Sequence, residues 1–445
     1  MKNTQASHRF ALIPLLAALV AMLAPAVQAQ SLVELYSAAR SFDATFQSAK
    51  ANADATRARA EQAKAGILPS AGLSASANRS NTELVSKIEQ STGQQTVSLS
   101  ASQPLYRPAN WATYEQGKKQ VELAQSQLNA ADQDLIVRVS QAYFDALAAT
   151  DNLAFVKSNK TAVAEQLASA KRNFEVGTST ITDSREAQAR YDLVIAQELV
   201  AENDLRVKSL ALDQLVGRPN TAPKPLLLPA SLPVLAVTDM EQWVVQSQDN
   251  NPTVQQAKIG LEVARLETQK AQAGHKPTVD LVGSYSMVNA NGTVGTSYAD
   301  QRTNVATVGV NFNMPLFAGF SVQNRVRETV SLEEKARADL DNAQRNVAQG
   351  TRSAFLGVLS GGAQVKAFEA AEASTQSALD ANKLGYQVGV RINIDVLNSQ
   401  SQLFDTKAKL AKARYDVLIG GLRLRQAAGV LDASDLQPIN ALLKP

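Results

Sequence analysis

The chain has 445 residues, a formal net charge of +3, no cysteine and two histidines. That length admits one large core or several ordinary ones, and the near-neutral charge gives no electrostatic case for nucleic acid. The missing cysteines exclude disulfides, thiol chemistry and a lipid on an N-terminal cysteine.

At the N-terminus, Lys2, His8 and Arg9 precede an apolar run over residues 10–23 and a small-residue stretch ending at Ala29. This order reads as a secretory signal, residues 1–29, cut after Ala29. Loss of Lys2 and Arg9 takes the net charge to +1 and leaves His275 as the remaining histidine. It sits in a Gly-His-Lys-Pro turn without convergent partners for acid–base or metal chemistry. No later run is long and apolar enough for a membrane helix. Phosphate-binding glycine loops, dinucleotide fingerprints and HExxH are missing from the sequence, which leaves an enzyme without a signature.

Beyond the signal the chain repeats itself. FQSAKANADATRARAEQAKAGILPSAGLSASA (residues 46–77) aligns with VQQAKIGLEVARLETQKAQAGHKPTVDLVGSY (residues 254–285), and SQPLY (102–106) with NMPLF (313–317). Val176, Gly177 and Asp183 return as Val388, Gly389 and Asp395. The offset drifts only from 208 to 212 along the chain, as duplication of a whole structural unit would leave it. The boundaries follow: a first repeat over 30–217, a connector over 218–237 stiffened by five prolines, a second repeat over 238–429 and a tail over 430–445.

Each repeat reads as a helix, two strands, a very long helix and a returning helix. The first helices fall near 44–64 and 252–273, with a short amphipathic helix over 238–248. The strands alternate: Leu73, Ala75 and Ala77 with serines, Val97 and Leu99 with serines, Val279, Leu281, Tyr285 and Met287 with polar residues, and Val308, Val310 and Phe312 likewise. Polar loops are expected at 81–95 and 289–301. Such strands fit a half-buried sheet or an outer-membrane barrel wall; four cannot close a barrel, so the second reading demands an oligomer. Residues 109–218 and 316–437 contain no proline and are rich in helix formers. Both runs break at a Val-Gly step, where glycine takes the left-handed conformation that ends helices. Two helical hairpins follow, with Gly177 and Gly389 near their tips, first arms of roughly 100 Å and returns of roughly half that, over 182–216 and 394–428.

Local chemistry offers one account of the charged tip residues. Asn393 caps the returning helix with Asp395 in its first turn, Arg391 pairs locally with Asp395, and Asp183-Ser184-Arg185-Glu186 has capping-box spacing.

The paired Pro-Leu-aromatic strand ends (Pro104 to Tyr106, Pro315 to Phe317), VGTSTITDSREAQARYD, YQVGVRINIDVL and the ending DLQPINALLKP together resemble the TolC family of outer-membrane efflux and type I secretion channels. The resemblance implies an α+β membrane protein: a trimeric 12-stranded β-barrel, four strands per chain, continued by a long periplasmic α-helical barrel. It implies an exit duct in the outer membrane, extending into the periplasm, without enzyme activity, cofactor or metal. Implied partners are two further copies, outer-membrane lipid, a periplasmic adaptor and an inner-membrane RND or ABC transporter. Thr182, Asp183, Tyr386 and Arg391 become gate contacts between neighbouring hairpins, and Asp395 a carboxylate ring at the mouth. Asn398 stands where the family pattern has a second aspartate. Val176, Gly177, Val388 and Gly389 become the adaptor-contact tips. A soluble periplasmic coiled-coil scaffold or adaptor is the competing reading; it requires the alternating strands to form a buried sheet.

Overall fold

The structure, a computed structural model, describes residues 29–83, 89–227, 238–294, 297–298 and 300–444. The predicted signal lies outside them up to residue 28, as do Pro229 and Pro233 of the connector. Two compact units emerge, one from residues up to 47, 132–243 and 351–445, the other from 48–131 and 244–350. Each unit draws on both sequence repeats.

In chain order the elements are α1 (Leu32–Phe42), α2 (Ala44–Ala65), β1 (Ser70–Glu83), β2 (Glu89–Tyr106), α3 (Pro108–Glu175), α4 (Ile181–Val216), α5 (Met240–Asn250), α6 (Pro252–Gln272), β3 (Thr278–Val294), β4 (Ser297–Tyr298), β5 (Gln301–Asn313), α7 (Ser321–Gln387), α8 (Asn393–Ala427) and α9 (Leu436–Asn440). The long arms α3 and α7 run 68 and 67 residues, and their returns α4 and α8 run 36 and 35. Proline at the first position of α3 is harmless, because that N–H has no helical partner in any case. α7 starts at Ser321, later than the proline-free run, because Gly319 and Phe320 hold φ of 59° and 62° in the preceding turn.

The sheet is antiparallel in the order β1-β2-β3-β5, with the two-residue β4 on the end of β3. Register places Leu73 opposite Leu99, Leu99 opposite Tyr285, Val97 opposite Met287, Leu281 opposite Val310 and Val279 opposite Phe312. One face is therefore continuously apolar. The other carries Ser74, Ser98, Ser284 and Ser286, with Ser98 and Ser286 hydroxyls 2.8 Å apart. Among the described residues nothing covers the apolar face: Leu73 is 74% exposed, Val308 83% and Phe312 65%. This is not the buried sheet that a soluble scaffold needs.

The strands run past their expected ends, to Glu83 and from Glu89, and to Val294 and from Gln301, so much of both expected polar loops is ladder. Pairing explains it. Ser80 faces Thr92 and Asn289 faces Arg302, and each satisfies its backbone against a neighbour although its side chain carries no apolar signal. At the base of the sheet Arg107 forms a bidentate pair with Asp280, at 2.7 and 2.6 Å.

The unit containing the helical returns has its own core. Tyr143 meets Phe144 edge-on and Phe144 stacks on Tyr415, each pair with centroids 5.4 Å apart. The Tyr143 hydroxyl donates to the Lys224 carbonyl at 2.8 Å, which fastens the connector to α3. The connector is itself zipped on both sides, Gln30 N–H to Ala222 O at 2.7 Å and Leu227 N–H to Leu442 O at 2.8 Å. The tail thus meets the connector through the Leu442 carbonyl. α1 was not foreseen; Ser31 and Glu34 close a capping box over it, and Leu32, Leu35 and Tyr36 bury one face.

Asp43, almost fully buried between α1 and α2, caps α2 through the Phe46 N–H at 2.8 Å and receives both Arg138 Nη atoms at 3.0 Å. The Arg138 bonds hold its carboxyl below the usual range. Arg138→Ala strands that carboxylate and destabilises the protein by about 1–3 kcal/mol, discounted because Arg138 is one-third exposed. Denaturant unfolding near neutral pH measures it.

Candidate functional site

The two hairpin tips are built alike. In the first, the Asn173 carbonyl accepts the N–H groups of Thr178 and Ser179 at 2.8 and 3.2 Å; in the second, the Gly385 carbonyl accepts those of Val390 and Arg391 at 2.8 and 3.0 Å. Gly177 and Gly389, with φ of 78° and 79°, make the reversal. An added Cβ would touch nothing at either position, so glycine is needed there for backbone conformation and not for space. Val176, Val388 and Val390 stand well exposed around these turns.

The helix starts differ. At α4 the N-cap is Thr180, whose hydroxyl accepts from Asp183 N–H at 3.2 Å, while Asp183 Oδ2 accepts from Thr180 N–H at 3.1 Å. The same Oδ2 accepts from Ser179 Oγ at 2.6 Å and Thr180 Oγ1 at 3.0 Å. The Ser179 bond, then the Thr180 bonds, hold the Asp183 carboxyl below its ordinary range. This box begins three residues before the expected one, because a threonine hydroxyl in the extended conformation reaches the N3 amide. At α8 the N-cap is Ile392, with no side chain to cap, and Asn393 is the first helical residue. Asn393 does not cap; it is buried and its Oδ1 accepts from Gln166 Nε2.

The remaining predicted residues fall around these two starts. Tyr386 packs against Leu379, Val396 and Leu403, and its hydroxyl accepts from Asn173 Nδ2 at 3.3 Å. Arg391 reaches Asp395 within its own tip at 3.6 Å, as local pairing expects. Thr182 is exposed at the start of α4. Asn398 accepts from Arg190 of α4. Within one chain, then, Tyr386 and Arg391 meet Asn173 and Asp395. Behind the tips Val163, Leu167, Ala187, Val194 and Leu397 pack α3, α4 and α8 together. Among the described residues no cluster of three imidazole or carboxylate groups gathers to hold a metal.

The profile of the outer membrane efflux protein family matches residues 35–218 and 243–430. The chain belongs to that family. It is 33% identical to the outer membrane protein TolC of Vibrio cholerae over 97% of this chain and 98% of that one. It is 28% identical to the proteases secretion protein PrtF of Dickeya chrysanthemi, over 96% and 94%. The crystal structure of the outer membrane protein VceC of Vibrio cholerae superposes with a TM-score of 0.76 at 19% identity, over 89% of this chain and 96% of that one. As a member of the outer membrane efflux protein family, the protein is an outer-membrane exit duct with the α+β fold of these channels, and its helical part extends into the periplasm.

Sequence reasoning missed Asn173, Gln166 and Arg190, each of which meets its partner across more than 200 residues of chain. Of these only Asn173 had a usable signal, its match to Gly385 at the same offset of 212 that relates the two glycines.

Gly177→Ala and Gly389→Ala each cost about 1 kcal/mol in the left-handed turn. Amide exchange within each altered tip accelerates about fivefold, while the rest of the helices are unchanged. Because the Asp183 carboxyl is depressed, its contribution to the first tip is complete above about pH 4, the unfolded value. It fades as pH falls through the lower folded value. Exchange at residues 179–183, corrected for intrinsic rates, reads this loss, and Asp183→Asn abolishes its pH dependence.

Proposed function

We propose that three copies of this chain close a 12-stranded barrel in the outer membrane and continue it as a periplasmic helical tunnel, a passive duct for tripartite efflux or type I secretion. The observation that carries it is the sheet. β1 and β5 each pair along one side among the described residues, and the apolar face is uncovered. Lipid suits that face, and neighbouring copies suit those edges. The family's name points to efflux, and that of PrtF to the secretion of proteases, which brackets the cargo. The chain makes and breaks no covalent bond; an adaptor and an inner-membrane RND or ABC transporter supply opening and energy, with the adaptor on Val176, Gly177, Val388 and Gly389.

The gate is formed between hairpins of neighbouring copies. Spare bonding capacity supports this. All three bonds within the first tip fall on Asp183 Oδ2, leaving Oδ1 for a neighbour. Tyr386 accepts from Asn173 and keeps its own hydroxyl proton to donate. Arg391 engages Asp395 loosely through one nitrogen, leaving other N–H groups for Thr182 and Asp183 of the next hairpin. Asp395, on the first turn of α8, forms the mouth ring; Asn398 contributes amides where carboxylates would hold cations.

Extraction from outer membranes requires detergent and yields a trimer that conducts in planar bilayers; recovery as a soluble monomer overturns the reading. Tyr386→Phe and Asp183→Ala raise single-channel conductance, and Asp395→Ala lowers cation preference. Unchanged currents in all three variants reject the gate.

A further inference from the structure

An open groove of about 830 Å³ lies between α3, α4 and α8, on the shaft side of the tips. At its rim Arg190 donates to the Asn398 amide oxygen. No carboxylate stands within ion-pair distance of Arg190 among the described residues. The one carboxylate lining the groove, Asp405, is taken by Lys409 at 2.7 Å. Several other cations of the same helices are matched, Lys160 with Glu198, Lys157 with Glu202 and Arg414 with Glu369. Arg190 therefore keeps its full charge, and its planar fork is oriented by a neutral amide that does not cancel it.

A second, independent feature lies deeper. Asn159 lines the groove, is 6% exposed and has a buried side-chain oxygen with no hydrogen-bond partner. Such an orphan costs free energy until a donor reaches it or the amide turns to meet one. The wall also carries Phe155, Leu193 and Val200, beside the polar Asn152, Gln197, Ser401 and Gln402. A guanidinium at the rim, an unsatisfied amide and the Phe155, Leu193 and Val200 side chains in one groove form a recognition pattern for an acid carried on a flat apolar body.

We propose that this groove is a binding site for anionic aromatic molecules, their acid group held by Arg190 and their ring lying along Leu193 and Phe155. The proposal deepens the duct reading, on which it rests for its consequence: cargo of this class lingers in the tunnel wall on its way out. The binding itself is measurable without transport.

The probe is naphthalene-2-sulfonate, titrated calorimetrically into the full-length protein in lipid nanodiscs. The wild type binds it, and Arg190→Gln, which keeps a donor for Asn398, weakens binding about tenfold or more, the loss expected for one charge-assisted contact. Asn398→Asp gives Arg190 an internal carboxylate and weakens binding in the same direction. A naphthalene-2-trimethylammonium probe binds more weakly than the sulfonate and gains in Arg190→Gln. Unchanged melting temperatures confirm that both variants fold. In planar bilayers the sulfonate produces brief blocks in the wild type that disappear in Arg190→Gln. Absence of sulfonate binding, or equal affinity in wild type and Arg190→Gln, overturns the proposal. A protein that binds the probe but does not conduct overturns the duct reading and leaves the site standing.

Discussion

A β-strand in hydrocarbon must have its backbone paired on both sides, because no water is present to satisfy an orphaned N–H or C=O. This constraint governs the whole molecule. The four long strands of one chain are fully paired inside the sheet and half paired at β1 and β5. Their apolar residues share one face by strict alternation, so the same face turned to water would expose Leu73, Leu99, Tyr285, Val308, Val310 and Phe312 together. No described helix is long and apolar enough to cross a membrane. In the proposed barrel it is this apolar face of the sheet that meets lipid.

In the helical unit, duplication has produced two turns with the same backbone and different first helical turns. Thr180 and Ile392 occupy the same place in the repeat. A hydroxyl there lets Asp183 close a capping box and ties the carboxylate to its own helix; isoleucine cannot, so Asp395 is left to Arg391 across a looser 3.6 Å contact. An uncapped start leaves α8 with less satisfied N–H groups than α4. The second tip is accordingly the one with less to lose on rearranging, which suits its place in the proposed gate.

Much of this was legible because its signals are periodic or local. Strand alternation, proline-free helical runs and left-handed glycines reach the structure almost unchanged, from Gly177 and Gly389 to the ends of α4 and α8. Two errors were also local: the Ser31/Glu34 box over α1 went unread beside the signal sequence, and the box at α4 was placed three residues late. The strand ends were illegible for another reason. Asn, Gln, Thr and Arg carry no apolar alternation, and only a partner strand shows that they belong to the ladder. Asn393 looked like a cap because nothing in its neighbourhood reveals Gln166, 227 residues away, which draws it into the interior.

The tip charges follow the same division. Asp183 spends one oxygen on its own helix, Asp395 shares its charge with Arg391, and Asn398 brings none. Arg190, at the groove, is held by the neutral Asn398 amide and by no carboxylate among the described residues. In the proposed duct, fields near packed helices are less screened than in bulk water, so such a guanidinium would act on cargo beyond its contact distance. Under the two proposals together cargo would be sorted twice: by Asp395 through the cations it admits and by Arg190 through the anions it retains. On that reading, selection at the wall would belong to the duct itself, and the choice of what is delivered to the mouth to the proposed transporter.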